Sequence, residues 1–255
     1  MSSNQHIDDV YEQLFQNTAQ TNFHMTPWNW QTQVGGQILR LRSEKHVVRQ
    51  LCVRPTGGGK TLLFHTLAAY MKGVTLCLIP LLSLGADQVN KAMIKTRNDP
   101  TMAFSAFHLD ELSPSDLKEL MLLLAEVDAG TTTILYSSPQ FLTDSNPKFV
   151  DDLLKLNALR FVAVDEIHLF THFGRSFRNE FIFSKLPRNI PSLFLTATCT
   201  RRIKESFESL IGVPITHIHW PPPHKMADRK VSLSLSSTPQ DRSLTCPNPS
   251  YGSLK

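Results

Sequence analysis

The sequence is poor in the features that staple or anchor a small protein. Its four cysteines, Cys52, Cys77, Cys199 and Cys246, never fall in a C-x-x-C spacing. Neither a zinc site nor a disulfide framework is therefore indicated, and reduced thiols in an intracellular protein are expected. No long apolar run is present: residues 74–82 are interrupted by Thr75 and Pro80 and are too short to span a bilayer. The first sixteen residues are polar and mildly acidic, without the basic-then-apolar order of a signal peptide. Charge of one sign is also scarce. A formal net charge of +4 permits nucleic-acid binding but does not argue for it. No internal repeat is visible.

What is present is a chain able to build one sizeable core. Hydrophobic residues make up 41% and charged residues 19% of 255, enough for one α/β domain with tails and short for two. From Gln50 onward, apolar β-branched runs alternate with turn residues and amphipathic stretches. Strands are predicted at 50–54, 74–79, 102–104, 132–136, 160–164 and 192–195. Helices are predicted at 60–72, 83–95, 115–127, 148–154, 180–185 and 201–210, with a short one at 8–17. Continuous apolar strands such as Phe161-Val162-Ala163-Val164 suit a mostly parallel sheet with helices on both faces. Residues 1–22 read as an N-terminal extension and 23–226 as the domain. Residues 227–255, rich in Ser, Pro and Thr, read as linker or disordered tail.

Two motifs carry chemistry. Arg54-Pro55-Thr56-Gly57-Gly58-Gly59-Lys60-Thr61 lies between an apolar strand and a helix, the setting a phosphate-binding loop needs. Glycines let backbone N–H groups curl round a phosphate, and the helix N-terminus adds partial positive charge. Lys60 can reach the β- and γ-phosphates and Thr61 can place its hydroxyl on Mg²⁺. Arg54 stands where the strict pattern has glycine. The second motif, Asp165-Glu166-Ile167-His168, ends an apolar strand. Asp165 can hold Mg²⁺, and Glu166 can orient and deprotonate an attacking water.

These residues resemble the phosphate loop and DExH box of superfamily-two helicases. The stretch Phe173-Gly174-Arg175-Ser176-Phe177-Arg178-Asn179-Glu180-Phe181 is similar to the aromatic-rich loop of RecQ helicases, with Phe173 where that family usually has Trp. Pro80-Leu81-Leu82-Ser83-Leu84 resembles motif Ia. Tyr136-Ser137-Ser138-Pro139-Gln140-Phe141-Leu142 resembles the family's Tyr-x-x-Pro-Glu-x-Leu segment, and Thr196-Ala197-Thr198 resembles motif III. Residues 23–33 resemble the adenine-recognition motif, with Gln31 the first choice for reading adenine and Gln33 the alternative.

The resemblance implies a RecA-like P-loop NTPase domain, the ATP-binding lobe of a RecQ-like DNA helicase. Its expected catalytic set is Lys60, Asp165, Glu166 and His168. ATP would be held by Gln31, Thr56, Gly57, Gly58, Gly59, Lys60 and Thr61, and Mg²⁺ by Thr61 and Asp165. Single-stranded or partly duplex DNA would meet Ser83, Phe173, Arg175, Phe177 and Arg178, the aromatic faces stacking on bases without reading sequence. A second lobe or subunit would be needed for 3′-to-5′ unwinding, because no second set of motifs follows residue 226. The resemblance also implies an intracellular protein, nuclear in a eukaryote, with neither membrane nor zinc among its partners. The alternatives are a non-catalytic nucleic-acid-binding remnant and a lobe of a DExH RNA helicase.

Overall fold

The computed structural model describes residues 3–79, 104–126, 130–172 and 179–220. All of them belong to one compact unit, 1–221. The elements run α1 (Ser3–Phe23), α2 (Asn29–Ser43), β1 (Arg49–Val53), α3 (Lys60–Met71), β2 (Gly73–Leu78), β3 (Phe104–His108), α4 (Pro114–Ala125), β4 (Thr132–Ser137), α5 (Phe149–Lys155), β5 (Leu159–Val164), α6 (Ile167–His172), α7 (Asn179–Lys185), β6 (Ser192–Thr196), α8 (Arg201–Ile211) and β7 (His217–His219). The predicted helix at 83–95 and residues 102–103 of the third predicted strand lie outside the described residues.

The seven strands form one sheet in the order β3-β4-β2-β5-β6-β1-β7, and every pairing is parallel. The expected α/β class, with helices on both faces, is what the chain adopts. Strand periodicity sorts the core. Leu51, Val53, Leu76, Leu78, Val162 and Val164 point to one face, and Cys52, Cys77, Phe161 and Ala163 to the other. The first face is covered by α4 to α8, the second by α1, α2 and α3. Burial pushes the Cys52 thiol up to about 12, so it behaves as a small apolar residue rather than a nucleophile.

The helix α3 is apolar nearly all round and buried over most of its length, which is what a helix with neighbours on two sides requires. On one side lies the sheet. On the other lie α1 and α2, both in contact with it. Within α1, Phe15 and Ala19 are fully buried and so contribute to the core. Burying a Phe side chain of this kind stabilises the fold by about 1.5–3 kcal/mol. The two helices come together at Gly35 and Gly36. A Cβ on Gly35 would lie 2.2 Å from the Phe15 ring, and one on Gly36 would lie 2.8 Å from the Glu12 backbone nitrogen.

Several features differ from the sequence prediction: β3 runs on to His108 where the strand was expected at 102–104, α6 follows the acidic box where no helix was expected, and three further elements depart from it. α1 is far longer than 8–17, because its long amphipathic surface is stabilised by packing rather than by local propensity. α2 occupies a stretch in which Trp, Asn and two glycines hide a helix whose large buried apolar side chains are Val34, Ile38, Leu39 and Leu41. β7 is a three-residue edge strand, too short and too polar to show an apolar run.

Candidate nucleotide-binding site

Strand order brings the two motifs together. β5, β6 and β1 are adjacent in the sheet, so their carboxyl ends place residues 54–61, 165–166 and 196–198 side by side despite their distance in sequence. This is where ligands bind in parallel α/β sheets.

The phosphate loop leaves β1 and winds into α3 through Gly59, which caps the helix in the left-handed region at φ 75°. A side chain there would be strained, and its Cβ would also lie 2.7 Å from the Gln31 amide nitrogen. Gly57 takes the same left-handed conformation, at φ 75°. Thr56 is exposed and Thr61 half-buried at the first turn of α3.

Lys60 is buried, and its ammonium donates 2.9 Å to Glu166 Oε1 and 3.3 Å to the Arg54 carbonyl. Glu166 sits at φ 50°, an uncommon and strained conformation for a non-glycine residue. The turn at this residue is the bend that brings both acids to one site at the end of an extended strand. The Glu166 N–H donates 2.9 Å to Asp165 Oδ1, and the Asp165 N–H donates 2.9 Å to the Leu78 carbonyl.

Glu166 Oε2 accepts from the Ala197 N–H at 3.2 Å and lies 3.3 Å from His168 Nδ1. The Thr196 hydroxyl donates 2.8 Å to the Thr198 carbonyl, so its oxygen is left to accept from His168 Nδ1 at 2.9 Å. That assigns a proton to His168 Nδ1. The four catalytic residues expected from the sequence, and the Thr196-Ala197-Thr198 turn, thus form one hydrogen-bonded set.

Gln31 and Gln33 separate cleanly. Gln33 is exposed, whereas Gln31 is buried beside the loop. The Gln31 amide donates 2.7 Å to the Gly59 carbonyl and accepts from the Trp28 N–H at 2.6 Å. One N–H and one acceptor lone pair of that amide remain. The Trp28 ring borders Gly59 and is 54% exposed, a large aromatic face that sequence reasoning did not place at the site.

Arg54 was also missed as a site residue. Its guanidinium is buried, lies 4.6 Å from the Trp30 ring centroid, and donates to His219 Nε2. The Trp30 and His219 rings stack with centroids 6.2 Å apart. Burial, then the nearby Arg54 charge, lowers His219 to about 4, in keeping with a neutral ring that accepts from arginine. The departure from glycine at position 54 was the available signal.

Other expected features have plainer roles. Tyr136 is fully buried and hydrogen-bonded to His65, and the Ser138 N–H and hydroxyl are held by the Asp110 carboxylate. Phe170 packs in the core against Phe183. Ser83, Phe173, Arg175, Phe177 and Arg178, the expected nucleic-acid contacts, lie outside the described residues.

The sequence profile of the DEAD/DEAH box helicases matches residues 29–206. The chain belongs to this family. Among its relatives is a protein named putative ATP-dependent DNA helicase Q1 of Caenorhabditis briggsae, 28% identical over 173 residues, which are 65% of this chain and 26% of that protein. ATP-dependent DNA helicase Q5 of Rattus norvegicus is 30% identical over 161 residues, 59% of this chain and 15% of the relative. ATP-dependent DNA helicase RecQ of Pasteurella multocida is 27% identical over 175 residues, 66% of this chain and 26% of the relative. The resemblance to RecQ-like helicases therefore holds, while the chain spans only 15% to 26% of the length of these relatives. In fold, the chain is similar to the crystal structure of the DUF1998 helicase MrfA, with a TM-score of 0.56 at 16% identity over 82% of this chain and 32% of that one.

Proposed function

We propose that this chain is the ATP-binding lobe of a RecQ-like DNA helicase, a domain that binds ATP with Mg²⁺ and single-stranded DNA. Hydrolysis would be coupled to 3′-to-5′ unwinding once a second lobe completes the site. The observation that carries this reading is the Lys60–Glu166 ion pair at 2.9 Å, which joins the phosphate loop to the acidic box at the carboxyl ends of adjacent strands.

The residue roles follow from position and chemistry. Backbone N–H groups of residues 57–61 and the N-terminus of α3 cradle the phosphates. Lys60, held between Glu166 and the Arg54 carbonyl, would exchange its ion pair with Glu166 for one with a phosphate oxygen, which releases the Glu166 carboxylate. The freed carboxylate, still oriented by the Ala197 N–H, can then take a proton from water. Asp165 and Thr61 would hold Mg²⁺, which supplies charge neutralisation to the phosphates and needs only one or two protein ligands. The remaining N–H and lone pair of Gln31 match the donor and acceptor on the edge of adenine, and Trp28 offers a stacking face.

The test is hydrolysis by the purified chain with and without single-stranded DNA, beside Lys60→Ala and Glu166→Gln. DNA-stimulated turnover that both substitutions abolish supports the reading. Magnesium-dependent ATP binding without turnover, lost in Lys60→Ala, identifies a half-site that needs its second lobe. Absence of nucleotide binding overturns it, and stimulation by RNA alone reassigns the substrate.

A further inference from the structure

The carboxyl ends of the strands carry the nucleotide site. Towards the opposite end, where β1 and β6 begin beside Val162 of β5, lies a separate cavity of about 290 Å³, just below the usual ligand-pocket range of roughly 300–1,000 Å³. Its floor is apolar, formed by Phe183 and Phe194. Its walls are Ile190, in the loop before β6, and Leu210, in the last turn of α8. These four side chains belong to, or pack against, the main core. The floor is therefore fixed by the fold.

Two arginines mark the rim. Arg49 opens β1 and Arg188 lies in the loop before β6, and the Arg49 guanidinium donates 3.3 Å to the Arg188 carbonyl. Neither makes an ion pair with a carboxylate among the described residues. Burial and the facing Arg188 charge lower the Arg49 pKa, so Arg49 stands partly desolvated beside the exposed Arg188, with no carboxylate partner among the described residues. Two like charges beside an apolar hollow are costly alone and favourable around an anion. The last carbonyls of α8, at Leu210 and Ile211, accept no backbone hydrogen bond from the described residues that follow, which leaves acceptors on the other side of the hollow.

We propose that this groove binds a short acidic-hydrophobic peptide segment of a partner protein, with carboxylates on Arg49 and Arg188 and an aromatic or branched apolar side chain on Phe183 and Phe194. Donors on one side and acceptors on the other suit an extended backbone, and a volume of this size takes a single anchoring side chain. The chain's own residues 222–255 are a poor complement, since they carry five Lys or Arg (Lys225, Arg229, Lys230, Arg242, Lys255) against two Asp (Asp228, Asp241).

The test is selection of a phage-displayed random peptide library on the purified chain, with counter-selection on Arg188→Glu. Synthetic copies of the selected peptides are then measured by fluorescence polarisation. Arg188 is exposed, so its substitution should leave the melting temperature unchanged; Arg49→Gln serves as a second variant. Expected are peptides with Asp or Glu next to Phe, Leu or Ile, whose affinity falls at least about tenfold in both variants. It should fall likewise when the peptide acids become lysine. Lys60→Ala should bind them normally, which separates this inference from the ATPase reading. The proposal is overturned by a failure to enrich any peptide, or by binding indifferent to both arginines. Binding retained when the apolar peptide residues become glycine would leave a bare anion site and also overturn it. Self-association of the chain that Arg188→Glu abolishes would instead assign the groove to a second copy.

Discussion

The two faces of the sheet support the candidate nucleotide site by opposite means. On the α4–α8 face the acidic box is contiguous: one strand, one strained turn at Glu166 and the short helix α6 deliver Asp165, Glu166 and His168 together. On the α1–α3 face the support comes from sequence-distant helices. Gln31 reaches the loop across 28 positions, and Trp30 lies against Arg54 and His219. Chemistry is thus written locally, while the scaffold that holds the loop is assembled by packing. Substitutions should respect that division.

The largest effect is expected where chemistry is local. Glu166→Gln keeps the turn and its volume but removes the proposed base, and on that reading turnover with single-stranded DNA should fall about 10²–10⁴-fold. Its thermal melting should fall only modestly, because an amide oxygen at this position can still accept from the buried Lys60 ammonium although the counter-charge is lost. A melting point that collapses with activity would show that the box is structural as well.

On the other face the order should reverse. Phe15→Ala empties a fully buried position between α1 and α2 and should cost about 3–5 kcal/mol of stability, read from denaturant unfolding. Gly36→Ala should cost less. Overpacking against the Glu12 backbone costs about 1–3 kcal/mol, offset by about 1 kcal/mol from better helix propensity. A stable Phe15→Ala protein would show that the packing of α1 is dispensable.

This division also explains what was legible in the sequence. β1, β2, β4, β5 and β6 declared themselves as apolar runs because both sheet faces are covered, and the loop and box followed from spacing at strand ends. α2 did not, since its helix rests on a buried stripe interrupted by Gly35 and Gly36, glycines that exist for the crossing with α1. Trp28 and Arg54 could not be placed either, because their neighbours Gly59 and His219 are brought near only by the fold.

A more modest effect tests the join between the faces. Gln31→Ala removes the amide that spans Trp28 and Gly59. ATP affinity should weaken about tenfold, the worth of one or two lost hydrogen bonds near a ligand, while GTP affinity should change less. Equal losses for both nucleotides would mean that Gln31 only props the loop and does not read the base.

The smallest effect is a pH dependence at the sheet edge. The folded His219 titrates at about 4, below its ordinary value of 6.5. As pH falls from 6.5 towards 4, the unfolded chain takes up a proton that the folded chain refuses. Stability contributed at this residue is therefore complete above 6.5 and is lost as the pH falls through that window. His219→Gln keeps an acceptor for Arg54 and cannot titrate, so its melting temperature should decline less between pH 6.5 and 4 than that of the parent. Parallel declines would show that the Arg54 contact does not hold the ring neutral, and that β7 is tied to the phosphate loop by its backbone pairing with β1 alone.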